Sequence, residues 1–277
     1  MTEGDFVAIL GLGLIGGSLA RDLAARGARV AAYDLDRGAV RQAIDEGVVH
    51  EALDADLGGL REASVVVLAT PVDAALELLG RVAPLVNTST LITDVGSTKA
   101  RIVERASRLG LDGRFVGAHP LAGDHRSGWG AARAGLLCGA RVYVCPADRA
   151  DPALVDRATR FWARFGAEPV LMRAEVHDET LAYTSHLPQL LSTALALALA
   201  GRGVKRGDLG SGGRDVTRLA GSSPEMWAPV ARENREALHH ALLAVERELG
   251  ALRSALDGSD AEALRERLGA ARVWFEV

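Results

Sequence analysis

Short apolar runs alternate with helical patterns through the first part of the chain. The run at 64–69 is apolar throughout, as in a strand buried on both faces. Because helical spacing lies between the runs, the pattern predicts an α/β domain with a mostly parallel sheet. The predicted strands span residues 6–10, 29–33, 64–69, 91–95, 115–118, 141–145 and 169–172.

The pattern changes near residue 175, where β-rich runs give way to Ala-, Leu-, Arg- and Glu-rich segments with helical spacing. We therefore predict an α/β domain over 1–174 and an all-helical domain over 175–277. Glycines at 201–213 interrupt the helical pattern and predict a loop. The apolar run at 187–200 is about 14 residues long, too short to span a bilayer, and is interpreted as a buried core helix.

Composition and charge exclude several classes of protein. Hydrophobic residues make up 48% and charged residues 25% of the chain, as in ordinary globular proteins. The net charge of -4 argues against sequence-independent binding of nucleic acid. Cys138 and Cys145 are the only cysteines, so neither a disulfide framework nor a metal site is predicted. With no signal-peptide pattern at the start, a cytoplasmic protein without membrane attachment is expected.

A glycine motif lies between the first predicted strand and a helix predicted from about residue 16 to 26. Gly11 would permit a tight turn, Gly13 would let the backbone approach a pyrophosphate, and Gly16 would let the helix pack closely on the strand. The helix N-terminus would offer free N–H groups to phosphate. A glycine-rich turn without a ligand is the alternative. The motif consists of Gly11, Leu12, Gly13, Leu14, Ile15 and Gly16.

Asp34 ends the second predicted strand, where a carboxylate receives the adenine ribose hydroxyls in dinucleotide-binding folds. A carboxylate there would repel a 2'-phosphate, so NAD is favoured over NADP, although nearby Arg37 leaves NADP open. Thr70 and Pro71 follow the Val-rich strand. They mark either the point where the cofactor crosses the sheet edge or the simple start of a helix.

Polar clusters elsewhere supply the candidates for chemistry. In the segment 94–99, a helix cap at Ser97 or Thr98 with a solvated Lys99 is the favoured interpretation from the residues alone. His119 ends a predicted strand, where it would face the ligand crevice of an open α/β sheet. Imidazole suits proton transfer near neutral pH, so His119 is a candidate base.

A third cluster lies in the helical part of the chain. It combines His186 with the glycine-bordered segment 212–218, which ends at Arg218. An arginine in such a segment could bind a carboxylate through a bidentate pair of hydrogen bonds.

Six motifs in one order together resemble the prephenate/arogenate dehydrogenases, over nearly the whole chain. The resemblance implies a dinucleotide-binding (Rossmann) domain, a helical dimerisation domain and a site formed between them, and hence a homodimer. The motifs are the glycine motif, Gly-Ser-x-Lys at 96–99, Ala-His-Pro-Leu-Ala-Gly at 118–123, Ser-His-Leu-Pro at 185–188, Asp-x-Thr-Arg at 215–218 and Met-Trp at 226–227.

The resemblance also implies roles for single residues. His119 resembles the catalytic histidine that hydrogen-bonds the ring hydroxyl of the substrate, and Ser97 the serine that helps to position that histidine and the cofactor. Arg218 is similar to the arginine that holds a substrate carboxylate. The other matches to pocket positions are His186, Ser222 and Trp227, the last two approaching from the same chain or its dimer partner. The roles of Asp124, His125 and Arg126 stay open because the family varies there.

The implied activity is NAD-dependent oxidative decarboxylation of prephenate to 4-hydroxyphenylpyruvate in tyrosine biosynthesis. Arogenate or a 4-amino-4-deoxy analogue is the alternative substrate. A 3-hydroxyacid dehydrogenase would use a lysine of the helical domain, where Lys205 is the only one. A non-catalytic NAD-binding protein is the remaining alternative, which the clustering of His119, Ser97, His186 and Arg218 disfavours.

Overall fold

A computed structural model of the chain describes residues 5–123 and 126–276. An eight-stranded sheet has the order β3-β2-β1-β4-β5-β6-β7-β8, and every neighbouring pair is parallel except β6 and β7. The predicted parallel-rich sheet is therefore confirmed, and only the short β3 was not predicted. The strands are β1 (Phe6–Leu10), β2 (Arg29–Tyr33), β3 (Glu51–Ala52), β4 (Val65–Leu68), β5 (Leu91–Asp94), β6 (Phe115–Pro120), β7 (Arg141–Pro146) and β8 (Glu168–Leu171).

Helices cover the sheet and make up the later part of the described chain, which confirms the predicted change from α/β to all-helical structure. They are α1 (Leu14–Ala24), α2 (Arg37–Asp45), α3 (Val72–Val82), α4 (Ala100–Arg108), α5 (Pro152–Ala163), α6 (Ala174–Leu181), α7 (Leu187–Ala200), α8 (Ser211–Val216), α9 (Pro224–Glu233), α10 (Arg235–Asp257) and α11 (Ala261–Glu276).

The sheet is buried on both faces, which explains why its strands are apolar at successive positions. In β1, Val7 and Ile9 join one core cluster, which also contains the aromatic residues of α5. Ala8 and Leu10 point to the other face and join a second cluster with residues of α3 and α4. Since successive side chains of a strand point to opposite faces, a strand between two helical layers must be apolar throughout.

The strand order creates a switch point at β1, and open α/β sheets carry their ligand crevice at such a point. β1 pairs with β2 on one side and with β4 on the other, so the chain reverses its direction of winding at β1. In open α/β sheets, ligands bind outside the carboxyl ends of the strands at this switch point. The glycine motif leaves the carboxyl end of β1 and therefore lies at the crevice.

Two glycines of the motif are required by close packing. Gly11 has φ = +107°, and a Cβ atom there would lie 2.3 Å from the carbonyl oxygen of Ala69. A Cβ atom at Gly16 would lie 2.0 Å from the carbonyl oxygen of Gly11. At Gly13, by contrast, a Cβ atom would meet no described atom within 4 Å. The motif thus packs tightly at its two ends and leaves open space at its centre.

The described chain forms two compact units. The first contains the described residues up to Leu181 and the segment Gly221–Glu233. The second contains Ala182–Ala220 and the residues from Asn234 onward. α7, α10 and α11 dominate the second unit, and α11 packs on α10.

Two predictions for the second unit were wrong in part. α7 has the predicted bounds, but it is not a buried core helix, because Leu197 is 68% exposed and only Leu187, Gln189 and Ser192 are buried. The single chain places too few residues around α7 to cover all its faces. The predicted loop at 201–213 contains a short 3-10 turn at Arg206–Asp208 and the start of α8. Among the described residues, no helix is both long and apolar enough to cross a membrane.

The packing at the glycine motif predicts contrasting effects of two alanine substitutions. Gly16→Ala should lower the free energy of unfolding by about 1–3 kcal/mol, the usual cost of overpacking, because the backbone at Gly11 cannot move aside easily. Gly13→Ala is the matched control and should leave stability nearly unchanged, because its new methyl group enters open space. Urea unfolding measures both, and equal losses would contradict the packing described.

Candidate active site

Five predicted site positions meet at the carboxyl edge of the sheet. The glycine motif follows β1, Asp34 follows β2, Thr70 follows β4 and Ser97 follows β5, while His119 lies near the end of β6. Because β1, β2, β4, β5 and β6 are parallel neighbours, their carboxyl ends share one edge. The first unit therefore brings the predicted cofactor residues and the candidate base to the same crevice.

The Asp34 carboxylate is joined to the glycine motif. Its Oδ2 accepts a hydrogen bond from the backbone N–H of Leu12 at 2.6 Å, and its Oδ1 accepts one from the N–H of Asp36 at 2.8 Å. These bonds fix the carboxylate at the crevice, where it is only partly buried. This is the position from which a carboxylate receives ribose hydroxyls in dinucleotide-binding folds.

Arg37, the residue that kept NADP as an alternative cofactor, is turned toward protein groups. Its Nη1 donates to the carbonyl oxygen of Leu53 at 3.0 Å, and its guanidinium lies 5.2 Å from the centre of the Tyr33 ring. Both contacts hold the guanidinium at β2 and the segment after β3. The arrangement favours the Asp34 carboxylate as the group that meets the adenine ribose.

Thr70 and Pro71 occupy the turn between β4 and α3. Pro71 immediately precedes the first residue of α3, so the interpretation of this pair as a helix start is confirmed. The turn also lies at the switch point next to Gly11, because a Cβ atom at Gly11 would come within 3.0 Å of Cγ2 of Thr70. The alternative, that the cofactor crosses the sheet edge at this pair, stays a prediction.

The interpretation of Lys99 as a solvated residue is wrong. Lys99 is fully buried, and its ammonium forms an ion pair with the carboxylate of Asp94, which is also fully buried. Asp94 Oδ1 accepts a hydrogen bond from the N–H of Ala118 at 3.0 Å, and Oδ2 accepts one from the N–H of Gly96 at 2.8 Å. α4 begins after Lys99, so neither Ser97 nor Thr98 is its cap. A buried carboxylate requires such compensation, and Lys99 provides its positive charge.

His119 is 9% exposed, and a second histidine lies behind it. Nδ1 of His119 is 2.9 Å from Nε2 of His177, which is fully buried in α6. Nδ1 of His177 is in turn 2.8 Å from Oδ1 of Asp178. The ring of Tyr143 packs edge-on against His177, with 5.4 Å between the ring centres. His119 is therefore the outer end of a series of hydrogen bonds that runs through His177 to Asp178. This series uses Nδ1 of His119 and not Nε2.

Ser97 is half-buried directly after β5. Within the described part of the chain it makes no hydrogen bond to His119, whose Nδ1 is bonded to His177. The predicted role of Ser97 in positioning the histidine and the cofactor stays a prediction.

The second unit holds His186 and Arg218. His186 is buried at the end of a π-helical turn, Ala182–His186, which continues into α7. Pro188 lacks an N–H group, so the regular hydrogen bond of an α-helix is missing at this turn. The side-chain amide of Asn234 donates to Nδ1 of His186 at 3.0 Å, so a neutral His186 carries its proton on Nε2. Arg218 is exposed after α8, and its predicted role in holding a carboxylate stays a prediction.

The remaining predicted positions belong to the first unit. Ser222 precedes α9, and Trp227 within α9 is partly buried against the core cluster that contains α3. Their predicted approach to the pocket stays a prediction. Asp124 and His125 lie outside the described residues, and Arg126 is exposed.

Two residues that the sequence analysis did not name, His177 and Asp178, support the edge at His119. Asp94 and Lys99 were named within the segment 94–99, but their burial and their ion pair were not predicted. The Gly-Ser-x-Lys motif gave a signal for Lys99. His177 and Asp178 follow no glycine, proline or strand end, so the sequence alone gave no signal for these two residues.

Comparison with known proteins identifies relatives along most of the chain. The model of the prephenate dehydrogenase nucleotide-binding domain matches residues 19–171, and that of the prephenate dehydrogenase dimerization domain matches residues 173–270. Prephenate dehydrogenase of Bacillus subtilis is 34% identical over 270 residues, which cover 94% of this chain and 72% of the relative.

Two solved structures resemble the fold closely. Prephenate dehydrogenase from Aquifex aeolicus in complex with hydroxyphenyl propionate and NAD+ has a TM-score of 0.90 at 28% identity, and the match covers 98% of this chain and 97% of the other. Synechocystis arogenate dehydrogenase has a TM-score of 0.84 at 30% identity, with 98% and 99% covered.

The buried ion pair predicts a large effect of a single substitution. Lys99→Met should lower the free energy of unfolding by about 3–5 kcal/mol, because it leaves the Asp94 carboxylate buried without its cation. The double variant Asp94→Asn with Lys99→Met removes both charges and should recover part of the loss. Urea unfolding of the two variants measures the difference, and an unaltered Lys99→Met protein would contradict the ion pair.

Proposed function

The chain belongs to the prephenate dehydrogenase family, and from this premise we propose that it catalyses the NAD-dependent oxidative decarboxylation of prephenate to 4-hydroxyphenylpyruvate in tyrosine biosynthesis. The observation that carries the proposal is the position of His119. It lies at the carboxyl edge of the sheet that also bears the glycine motif and Asp34. A base at this edge is placed beside the cofactor crevice.

The residues of the first unit fit a dinucleotide. Open space at Gly13, beside the N-terminus of α1, suits the close approach of a pyrophosphate. The N-terminus of α1 has no side-chain cap, so its N–H groups suit phosphate oxygens. Asp34 would hold the adenine ribose, and its negative charge favours NAD over NADP. When bound, NAD supplies the acceptor of the substrate hydride.

His119 performs the proton transfer of the proposed reaction. Prephenate carries a ring hydroxyl opposite a quaternary carbon with a carboxylate. Nε2 of His119 accepts the hydroxyl proton as the hydroxyl-bearing carbon gives up its hydride to the cofactor and is oxidised to a ketone. The ketone is conjugated to the carboxylate-bearing carbon, so carbon dioxide leaves and the ring becomes aromatic. Aromatisation makes the reaction irreversible, and the protein needs only to orient the substrate and accept one proton.

Arg218 and His186 are the proposed substrate-binding groups of the second unit. The exposed guanidinium of Arg218 would pair with a substrate carboxylate through two parallel hydrogen bonds. Because the side-chain amide of Asn234 donates to Nδ1 of His186, a neutral His186 carries its proton on Nε2. That N–H group would donate a hydrogen bond to a substrate oxygen. Ser222 and Trp227 are proposed to contact the substrate as well. Ser97 is proposed to help position His119 and the cofactor.

Arogenate is a second candidate substrate because the arogenate dehydrogenase of Synechocystis matches this chain over 98% of its length. Arogenate differs from prephenate only in bearing an amino acid in place of a keto acid on the side chain. The proton transfer at His119 is the same for both substrates. Kinetics with each substrate and with both NAD and NADP decides between them.

A homodimer formed by the second unit is part of the proposal. The matched family model is named for dimerization, and the second unit leaves large apolar side chains exposed, including Leu197 of α7 and Trp274 of α11 at 81% exposure. A second copy of the chain would cover such surfaces. Cys138 and Cys145 are both free thiols, which suits the cytoplasm as the proposed location.

The primary test measures NADH formation from prephenate and NAD, with His119→Asn as the diagnostic variant. Wild type should turn over prephenate, and His119→Asn should lower kcat by about 10²- to 10⁴-fold with little change in KM, because a general base acts mainly in the transition state. Asn fills a similar volume and keeps a polar group. Wild-type inactivity with prephenate and arogenate alike would refute the proposal, and full activity of His119→Asn would remove His119 from the mechanism.

Substitution of Arg218 tests carboxylate binding. Arg218→Lys keeps the charge but loses the bidentate geometry, so KM for prephenate should rise by about 10- to 100-fold, corresponding to roughly 1.5–3 kcal/mol for a hydrogen bond to a charged group. Arg214→Lys, at an exposed position of α8, is the matched control and should leave KM unchanged. Equal KM values in the two variants would exclude the role of Arg218.

A further inference from the structure

His177 lies directly behind the proposed base, and the reaction described above assigns it no role. It is fully buried in α6, with Nε2 at 2.9 Å from Nδ1 of His119 and Nδ1 at 2.8 Å from Oδ1 of Asp178. We propose that His177 is a positioning residue that fixes the tautomer of His119, so that Nε2 of His119 is the unprotonated nitrogen offered to the substrate hydroxyl. The chemical consequence of this inference rests on the proposed function, whereas the hydrogen-bond series does not.

The direction of the series follows from the protons available. An ionised carboxylate only accepts hydrogen bonds, so Nδ1 of His177 must carry the proton that is donated to Asp178. In a neutral His177 the other ring nitrogen, Nε2, is then an acceptor. His119 must donate to it from Nδ1, which leaves the lone pair of a neutral His119 on Nε2.

The surroundings of His177 keep it neutral. Burial lowers the pKa of His177 below the ordinary value, and the positive charge of Lys99 acts in the same direction. The hydrogen bond to Asp178 and the more distant Asp94 charge act in the opposite direction, but burial dominates. A neutral ring is required, because a doubly protonated His177 could not accept a hydrogen bond from His119.

Asp178 is itself held in place by the backbone of the neighbouring helix. Its Oδ1 accepts from the N–H of Lys99 at 2.7 Å, and its Oδ2 accepts from the N–H of Ala100 at 2.9 Å. These are N–H groups at the start of α4, where a carboxylate is favoured by the helix dipole. The series thus runs from a fixed helix terminus through Asp178 and His177 to His119. When His119 receives the substrate proton, its Nδ1–H becomes a stronger donor toward His177, which stabilises the charged ring.

The kinetic test compares two substitutions of His177. His177→Phe keeps a ring against Tyr143 but removes the acceptor, so kcat for prephenate should fall by about 10²-fold with KM within about twofold of wild type. The acidic limb of kcat/KM against pH should also move to lower pH, because the lost acceptor favoured the protonated form of His119. His177→Gln keeps an acceptor oxygen and should recover part of the lost kcat. Tyr143→Phe, in the same cluster, is the matched control and should behave as wild type.

A spectroscopic test separates the inference from the proposed function. Nitrogen NMR of the histidine rings near neutral pH should show neutral His119 and His177 in wild type, each with its proton on Nδ1. A proton on Nε2 of neutral His119 would overturn the inference, whether or not the protein turns over prephenate. So would a wild-type kcat and pH profile in a folded His177→Phe protein. If His177→Phe does not fold, the wild-type spectrum decides. Inactivity of wild type with an intact Nδ1–H pattern would refute only the proposed function.

Discussion

The compensation of one buried carboxylate organises the reactive edge of the sheet. Asp94 is fully buried at the end of β5, where an uncompensated charge would be strongly unfavourable. The ammonium of Lys99 and the N–H groups of Gly96 and Ala118 supply that compensation. Because Ala118 precedes His119, its hydrogen bond to Asp94 also fixes the backbone that carries the proposed base.

A second carboxylate meets the same turn from the opposite side. Asp178 binds the backbone N–H of Lys99, while Asp94 binds its side chain. Lys99 therefore links β5 to α6, and through His177 it links both to His119. The bond from Ala118 to Asp94 fixes the backbone beside His119, and His177 bonds Nδ1 of its ring, so the proposed base needs little reorganisation. Such preorganisation is a main source of rate enhancement in enzymes.

The sequence predicted the parts of this site that follow from strand periodicity. Parallel strands place their carboxyl ends at one edge, so the glycine motif, Asp34 and His119 could be assigned to one edge of the sheet from the sequence alone. The buried state of Lys99 could not be predicted, because a lysine in a polar turn is usually solvated. His177 was missed because it meets His119 across 58 residues of sequence. α7 was interpreted as a core helix because its residues are mostly apolar, and apolar composition alone does not show whether one chain supplies enough neighbours to bury a helix.

The membership of α6 in the first unit has a consequence for chimaeras between relatives. α6 follows the last strand, and composition alone would assign it to the helical domain. It nevertheless packs with β7 and α4, and it carries the partner of the candidate base. A chimaera that joined a foreign helical domain at residue 174 would thus replace His177 and Asp178, which support His119, by the residues of the other protein. A crossover after Leu181 would keep that support native.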